Sequence, residues 1–171
     1  MGPVAHSGMG YLGWKLSGRR GNHALGLLFI LLALLPDIDF VLAYLLPGTA
    51  IPHQLYTHNI FFVGFTAGLL LLLFASLRSE WRWVMAVGFS HLVLDLLVLD
   101  PVPPLGIKLL FPLWGEPLNL GFFPNLWRDS LRQILSLHNL LVVALEALVF
   151  GIPLWLLMNP RIPGEKLRQP R

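Results

Sequence analysis

Residues 84–99 read VMAVGFSHLVLDLLVL, an apolar run almost long enough to cross a bilayer that carries one imidazole and one carboxylate, His91 and Asp95. Their spacing of four residues places both on one helix face, with Cβ atoms roughly 6 Å apart. A charged side chain at the centre of a membrane helix costs about 2.5–3.5 kcal/mol on insertion scales, so the pair needs a compensating partner. A metal ion, a proton path or a partner charge would supply one.

Composition fits that reading. The chain has 171 residues, of which 56% are hydrophobic and 12% charged, and its mean hydropathy is +0.69. Soluble domains carry about 25% charged residues, so the chain belongs with membrane proteins. Its length suits one integral-membrane domain, residues 1–158, followed by a basic tail, residues 159–171, expected to be disordered and cytoplasmic. The formal charge of +3 is scattered over turns and tail, which argues against direct nucleic-acid binding. Cysteine is absent, leaving His, Asp and Glu as the plausible metal ligands. The N-terminal residues lack the charged start and apolar run of a cleaved signal peptide, so they are expected to be retained.

Working outward, residues 60–77, 83–99 and 137–158 each read as a span near the ~20 residues a bilayer core requires. Residues 24–46 are interrupted by Pro36-Asp37-Ile38-Asp39. A proline and two carboxylates predict a half-helix, a polar break and a second short piece. Residues 5–16, with Gly8, Gly10 and Gly13, are too short to span and are expected to pack as a hairpin against residues 24–35. Each arm would rise roughly 18 Å, bringing His6 level with Asp37. The fold expected is all-α: a polytopic membrane helical bundle of about four spans plus this short N-terminal hairpin arm. Lys15, Arg19, Arg20, Arg78, Arg82 and the tail would share the cytoplasmic side. In the outer loop, Leu126, Trp127, Leu131, Ile134 and Leu135 recur at helical spacing beside Arg128, Asp129 and Arg132, which predicts a helix lying in the interface.

Placed by expected depth, the ionisable residues converge between the middle and the outer face of the bilayer. His6, His53, His58 and His91 join Asp37, Asp39 and Asp95 in one layer. That set resembles the ligands of a two-metal hydrolytic site, in which the ions lower the pKa of water and steady the oxygens of the ester. Simpler readings stand beside it. His91 and Asp95 would also serve as a hydrogen-bonded pair joining helices. Asp37 and Asp39 would serve as caps for the helix beginning near Phe40. His53 and His58 would serve as ordinary loop and interface residues, and His6 as a solvated terminal one. His23, beside Arg19 and Arg20, reads as structural. Glu146 is expected to meet a polar partner within the bundle, and His138 has no assigned role.

The order of AHSGMGYLG, LLPDIDF, HQLYTHNIFF and SHLVLDLL, followed by PPLGIKLLFPLW, resembles the YdjM-type family of membrane-bound metal-dependent hydrolases, described also as LexA-binding inner-membrane proteins. The resemblance covers roughly residues 5–114. It implies His6, Asp37, His53, His58, His91 and Asp95 as metal-site residues, with Asp39 beside them. A more distant similarity to zinc-dependent phospholipase C and related nucleases implies phosphoester chemistry. Gln54 stands where the family commonly has Arg, Asn59 where a small hydroxyl residue is common, and Asp100-Pro101 where a Thr-Pro turn is usual.

Together these readings predict an inner-membrane hydrolase acting on a phosphoester of a lipid or lipid-linked substrate. Zinc is the expected ion, one or two per chain, with manganese or magnesium as alternatives. His6, His58, His91 and Asp95 would be ligands, Asp37 a bridge or ligand, and Asp39 the acceptor of the water's proton. The rivals are a transporter using the same residues, with polar groups strung across the full membrane thickness, and a non-catalytic interaction protein. Ligand atoms within about 5 Å of a common point would favour the metal site.

Overall fold

In the computed structural model, residues 1–19, 21–46, 54–99, 105–127 and 130–158 are described. Among them the regular structure is helical, with two isolated β-bridges and no strand. The expected tail (159–171), His53, Arg20, Asp100-Pro101 and the Arg128-Asp129 pair lie outside the described residues.

Helix α1 (Pro3–Leu16) and helix α2 (His23–Leu34) form the expected antiparallel hairpin. Small residues make the close approach possible. A Cβ on Gly10 would lie 2.6 Å from both the Ile30 Cα and the Phe29 carbonyl oxygen. The turn is fixed by polar contacts: the Trp14 indole N–H donates to the Arg19 carbonyl, and the Asn22 side chain caps α2 by accepting from Leu25 N–H.

The interruption at Pro36 is milder than expected. One 3₁₀ turn, Leu35–Asp37, links α2 to α3 (Ile38–Leu45) without ending the rod. Pro36 has no N–H for the Leu32 carbonyl, which receives Leu35 N–H instead, and the ladder tightens. The result is a continuous helix over His23–Leu42.

Helix α4 (Ile60–Leu73) starts at an Asn59 cap that accepts from Phe62 N–H. It stops four residues short of the expected end, and Arg78 covers the Leu71 and Leu72 carbonyls. A 3₁₀ stretch, Ala75–Glu80, leads into α5 (Trp81–Leu96), which packs against α1, α2 and α4. Trp14, Phe29, Leu32, Ala67, Val84 and Val87 form the core between them. At the same end, Arg19 binds Glu80 at 2.8 Å and Ser79 at 2.7 Å, so the α1–α2 and α4–α5 turns lie together.

The return segment is extended, held to the end of α5 by Leu120 N–H to the Leu96 carbonyl and Leu99 N–H to the Phe123 carbonyl. The interfacial helix expected around residues 126–135 shrinks to α6 (Leu131–Ile134). Trp127 instead exchanges backbone hydrogen bonds with the Asn139 side chain, which removes its main chain from any helix ladder. Helix α7 (Leu137–Glu146) continues through a π turn, Ala147–Gly151, into α8 (Ile152–Met158). Pro153, unable to donate to the ladder, accounts for that irregularity.

Two helices among the described residues are long and apolar enough to cross a membrane, His23–Leu42 and Leu137–Leu156, each of 20 residues. At 1.5 Å per residue such a helix covers roughly the 30 Å hydrocarbon core. Helices α4 and α5, of 14 and 16 residues, fall short of that length. Large apolar side chains such as Leu27, Leu31, Phe65, Leu72, Leu140 and Leu148 face outward, as a lipid-facing surface requires.

Candidate metal centre

His91 enters the site from the last turns of α5, and its ring is fixed from behind. Its Nδ1 lies 2.7 Å from the Ala33 carbonyl, which can only accept, so Nδ1 carries the proton and Nε2 presents its lone pair. His58 is held by a comparable relay. Thr57 donates its single hydroxyl hydrogen to Asp39 Oδ2 at 2.7 Å, so its oxygen accepts from His58 Nδ1 at 2.9 Å. His58 Nε2 is thereby turned toward Asp37 and Asp95.

The forward-facing atoms meet. His58 Nε2 lies 3.4 Å from Asp37 Oδ1 and 3.3 Å from Asp95 Oδ2. His91 Nε2 lies 3.1 Å from Asp95 Oδ2 and 3.9 Å from Asp37 Oδ1. Donors bound tetrahedrally to zinc at ~2.0–2.1 Å are separated from one another by roughly 3.3 Å, so these spacings suit a metal site. The fully buried His6 approaches the other carboxylate oxygen, with Nε2 3.3 Å from Asp95 Oδ1, and its ring stacks on His91 at 3.9 Å. Two triplets, His6–His91–Asp95 and Asp37–His58–His91, have ligand atoms within 4.8 Å of one another.

Buried polar atoms left without partners show how well a cation would fit. His91 Nε2 and both ring nitrogens of His6 make no hydrogen bond. Burial favours a neutral His58 imidazole, yet hydrogen bonding to Asp37, Asp39 and Asp95 outweighs it and holds the His58 pKa well above the usual value. A divalent cation competes for the same lone pair and the same carboxylates. Asp37, with 30% of its side chain exposed against 4% for Asp95, borders the open side of the cluster.

Of the residues expected from sequence, His6, Asp37, His58, His91 and Asp95 are brought together. Asp39 stands one layer back: beyond Thr57, it accepts from Phe40 N–H at 2.6 Å and Gln54 N–H at 2.9 Å. A carboxylate so engaged is placed to orient His58, not to receive a proton from water at the centre. Gln54 makes that contact from a left-handed backbone conformation, φ 67°. Asn59, beside His58, caps α4 by accepting from Phe62 N–H at 2.9 Å.

Thr57 and the Ala33 carbonyl were not visible as site residues in the sequence, although a threonine immediately before a histidine was the available signal. Glu146 meets Gly2 N–H at 2.5 Å, and the Met1 α-amino group lies against Asp95 Oδ1. His138 stacks on Trp127 at 4.0 Å and bonds the Asn125 carbonyl, and His23 packs near Trp14, so both are structural.

The YdjM inner membrane protein profile matches residues 1–161, a span containing every one of these side chains. The chain belongs to the YdjM inner membrane protein family. No curated protein and no solved structure matches it. Family membership and the two long apolar helices support a membrane location for this YdjM protein, and its His/Asp groups are of a kind that could hold a metal ion.

Proposed function

We propose that this protein is a membrane-bound metal-dependent hydrolase acting on a phosphoester of a lipid or lipid-linked molecule. The observation carrying this reading is the approach of His58, His91, Asp37 and Asp95 to one another at 3.1–3.9 Å. His58, His91 and Asp95 would hold the ion, zinc by the chemistry of the donor set, with manganese or magnesium as alternatives. A divalent ion held there would lower the pKa of water and draw charge from an ester oxygen.

Asp37, the most exposed of these groups, stands on the open side, where it would take the proton released by water, the fourth position on the ion being left to that water. Asp39 and the Ala33 carbonyl keep the two imidazoles aimed. On the adjoining α3, Phe40, Val41 and Leu42 are apolar and exposed, a surface that would suit an acyl chain. A relay transporter would need polar groups through the whole thickness. Here, among the described residues, the buried ionisable groups gather at the end of α1 and α5 away from the Arg19–Glu80 turn.

A four-crossing arrangement with cytoplasmic turns is part of this proposal. The shorter α4 and α5 would then cross with local thinning of the bilayer.

Metal analysis of the purified protein, paired with hydrolysis of a chromogenic phosphodiester, tests the reading. A bound divalent ion and chelator-sensitive hydrolysis are expected in the wild type, both lost in Asp95→Ala. Unchanged metal content in the variant, or no hydrolysis by metal-loaded wild type, would overturn it.

A further inference from the structure

The return segment, residues 105–123, is not helical, yet its surface is that of a lipid-facing helix. Leu105, Leu113, Trp114, Leu120 and Phe122 are exposed, Leu113 at 81% and Phe122 at 72%. Lys108 and Glu116 are its only charged residues. Large apolar side chains gathered on one exposed segment mark an interaction surface. Phe61 and Val93, near the same ends of α4 and α5, are exposed as well, so the lipid-facing character of those helices extends to their ends.

The main chain of the segment is equipped for a place poor in water, where each unpaired N–H or C=O is costly. Ile107 and Leu118 exchange both of their backbone hydrogen bonds, at 3.0 and 2.9 Å. Leu113 and Trp114 N–H donate to the Leu110 carbonyl, and Phe122 and Phe123 N–H to the Leu97 carbonyl at the end of α5. The Leu109 carbonyl accepts from Ile60 N–H at the start of α4, and Pro112 and Pro117 have no N–H to satisfy.

Helix length says where such a segment is needed. With 14 and 16 residues, α4 and α5 rise about 21 and 24 Å, about 6–9 Å less than a 30 Å hydrocarbon core. Interfacial elements sink about 5–10 Å into the boundary between headgroups and acyl chains, a depth that matches this shortfall.

We infer that the return segment is seated in that boundary, in the leaflet at the end away from the Arg19–Glu80 turn, with phospholipid as its partner. Leu113 and Phe122 lie among acyl chains, Trp114 takes the interfacial place favoured by tryptophan, and Lys108 reaches the headgroups along its apolar stem. The inference rests on the four-crossing arrangement proposed above, not on the metal centre. It adds the contact that completes the apolar thickness beside α4 and α5, which reduces the thinning those helices would otherwise require.

The chain has no cysteine, so nitroxide labels can be placed singly. Leu113→Cys and Phe122→Cys are labelled and reconstituted into vesicles of phosphatidylethanolamine and phosphatidylglycerol. Both replaced side chains are exposed, so neither change disturbs the core. Power saturation then compares collisions with oxygen, which concentrates among acyl chains, and with chromium oxalate, which stays in water. Phe65→Cys on α4 is the lipid reference, and Ser17→Cys at the α1–α2 turn the aqueous one. The oxygen-to-chromium ratio at Leu113 and Phe122 is expected several-fold above that at Ser17 and close to that at Phe65. A ratio at both equal to the aqueous reference would overturn the inference. Shielding of both labels from both reagents would overturn it too, since protein, such as a second copy of the chain, would then cover the segment. A water-like ratio at Phe65 as well would overturn the four-crossing arrangement beneath it.

Discussion

The imidazoles of His58 and His91 are each fixed at Nδ1, and by different means. His91 uses a main-chain carbonyl set free near the 3₁₀ turn, whereas His58 depends on Thr57 and, through it, on the carboxylate of Asp39. Groups in this supporting position typically tune metal affinity 10–100-fold when removed. Asp39→Asn is therefore expected to weaken zinc binding by about that factor without abolishing it, read by competition against a chelator of known affinity. Complete loss of zinc would instead make Asp39 a ligand, and unchanged affinity would remove it from the site.

At the scale of elements, the site depends on how closely α1 approaches α2, because that contact sets the depth of His6. Alanine normally stabilises a helix interior relative to glycine by about 0.5–1 kcal/mol. At Gly68, where a Cβ would meet nothing within 4 Å, Gly68→Ala should show that gain. At Gly10 the new Cβ would press on the α2 backbone, and overpacking of about 1–3 kcal/mol should win. Opposite signs in denaturant unfolding in detergent are the expected result, and a stabilising Gly10→Ala would contradict the packing described here.

The hairpin was legible in the sequence because small residues recur on α1 and the arm lengths are short. The convergence of His6, Asp37, His58, His91 and Asp95 was legible for the same reason: ionisable residues are rare enough in an apolar chain for their depths to be compared. Periodicity misjudged the second-rank detail. It placed a long interfacial helix where Asn139, distant in sequence, captures the Trp127 main chain; Pro36 and its two neighbouring carboxylates suggested a polar break where the helix only tightens. Asp39 was expected at the centre beside Asp37 because nothing local reveals that the loop 54–58 folds back over one of them and leaves the other partly open.

For the whole molecule, the Arg19–Glu80 contact draws two basic turns to one end and leaves the polar cluster toward the other. With the positive-inside rule, this predicts a centre opening toward the outer leaflet. The absence of cysteine makes the arrangement easy to map, since single introduced thiols have no background. Ser17→Cys should react with a membrane-impermeant reagent only after the cytoplasmic side is opened, and Tyr56→Cys without that treatment. Reaction of both from the same side would contradict the proposed topology.

The proposed chemistry depends on these imidazoles binding a metal. X-ray absorption at the metal edge of the purified protein tests it most directly. The expected result is a nitrogen/oxygen shell at about 2.0–2.1 Å with the outer scattering of imidazole, diminished in His91→Ala. An oxygen-only shell without imidazole scattering, or the same spectrum in the variant, would contradict it.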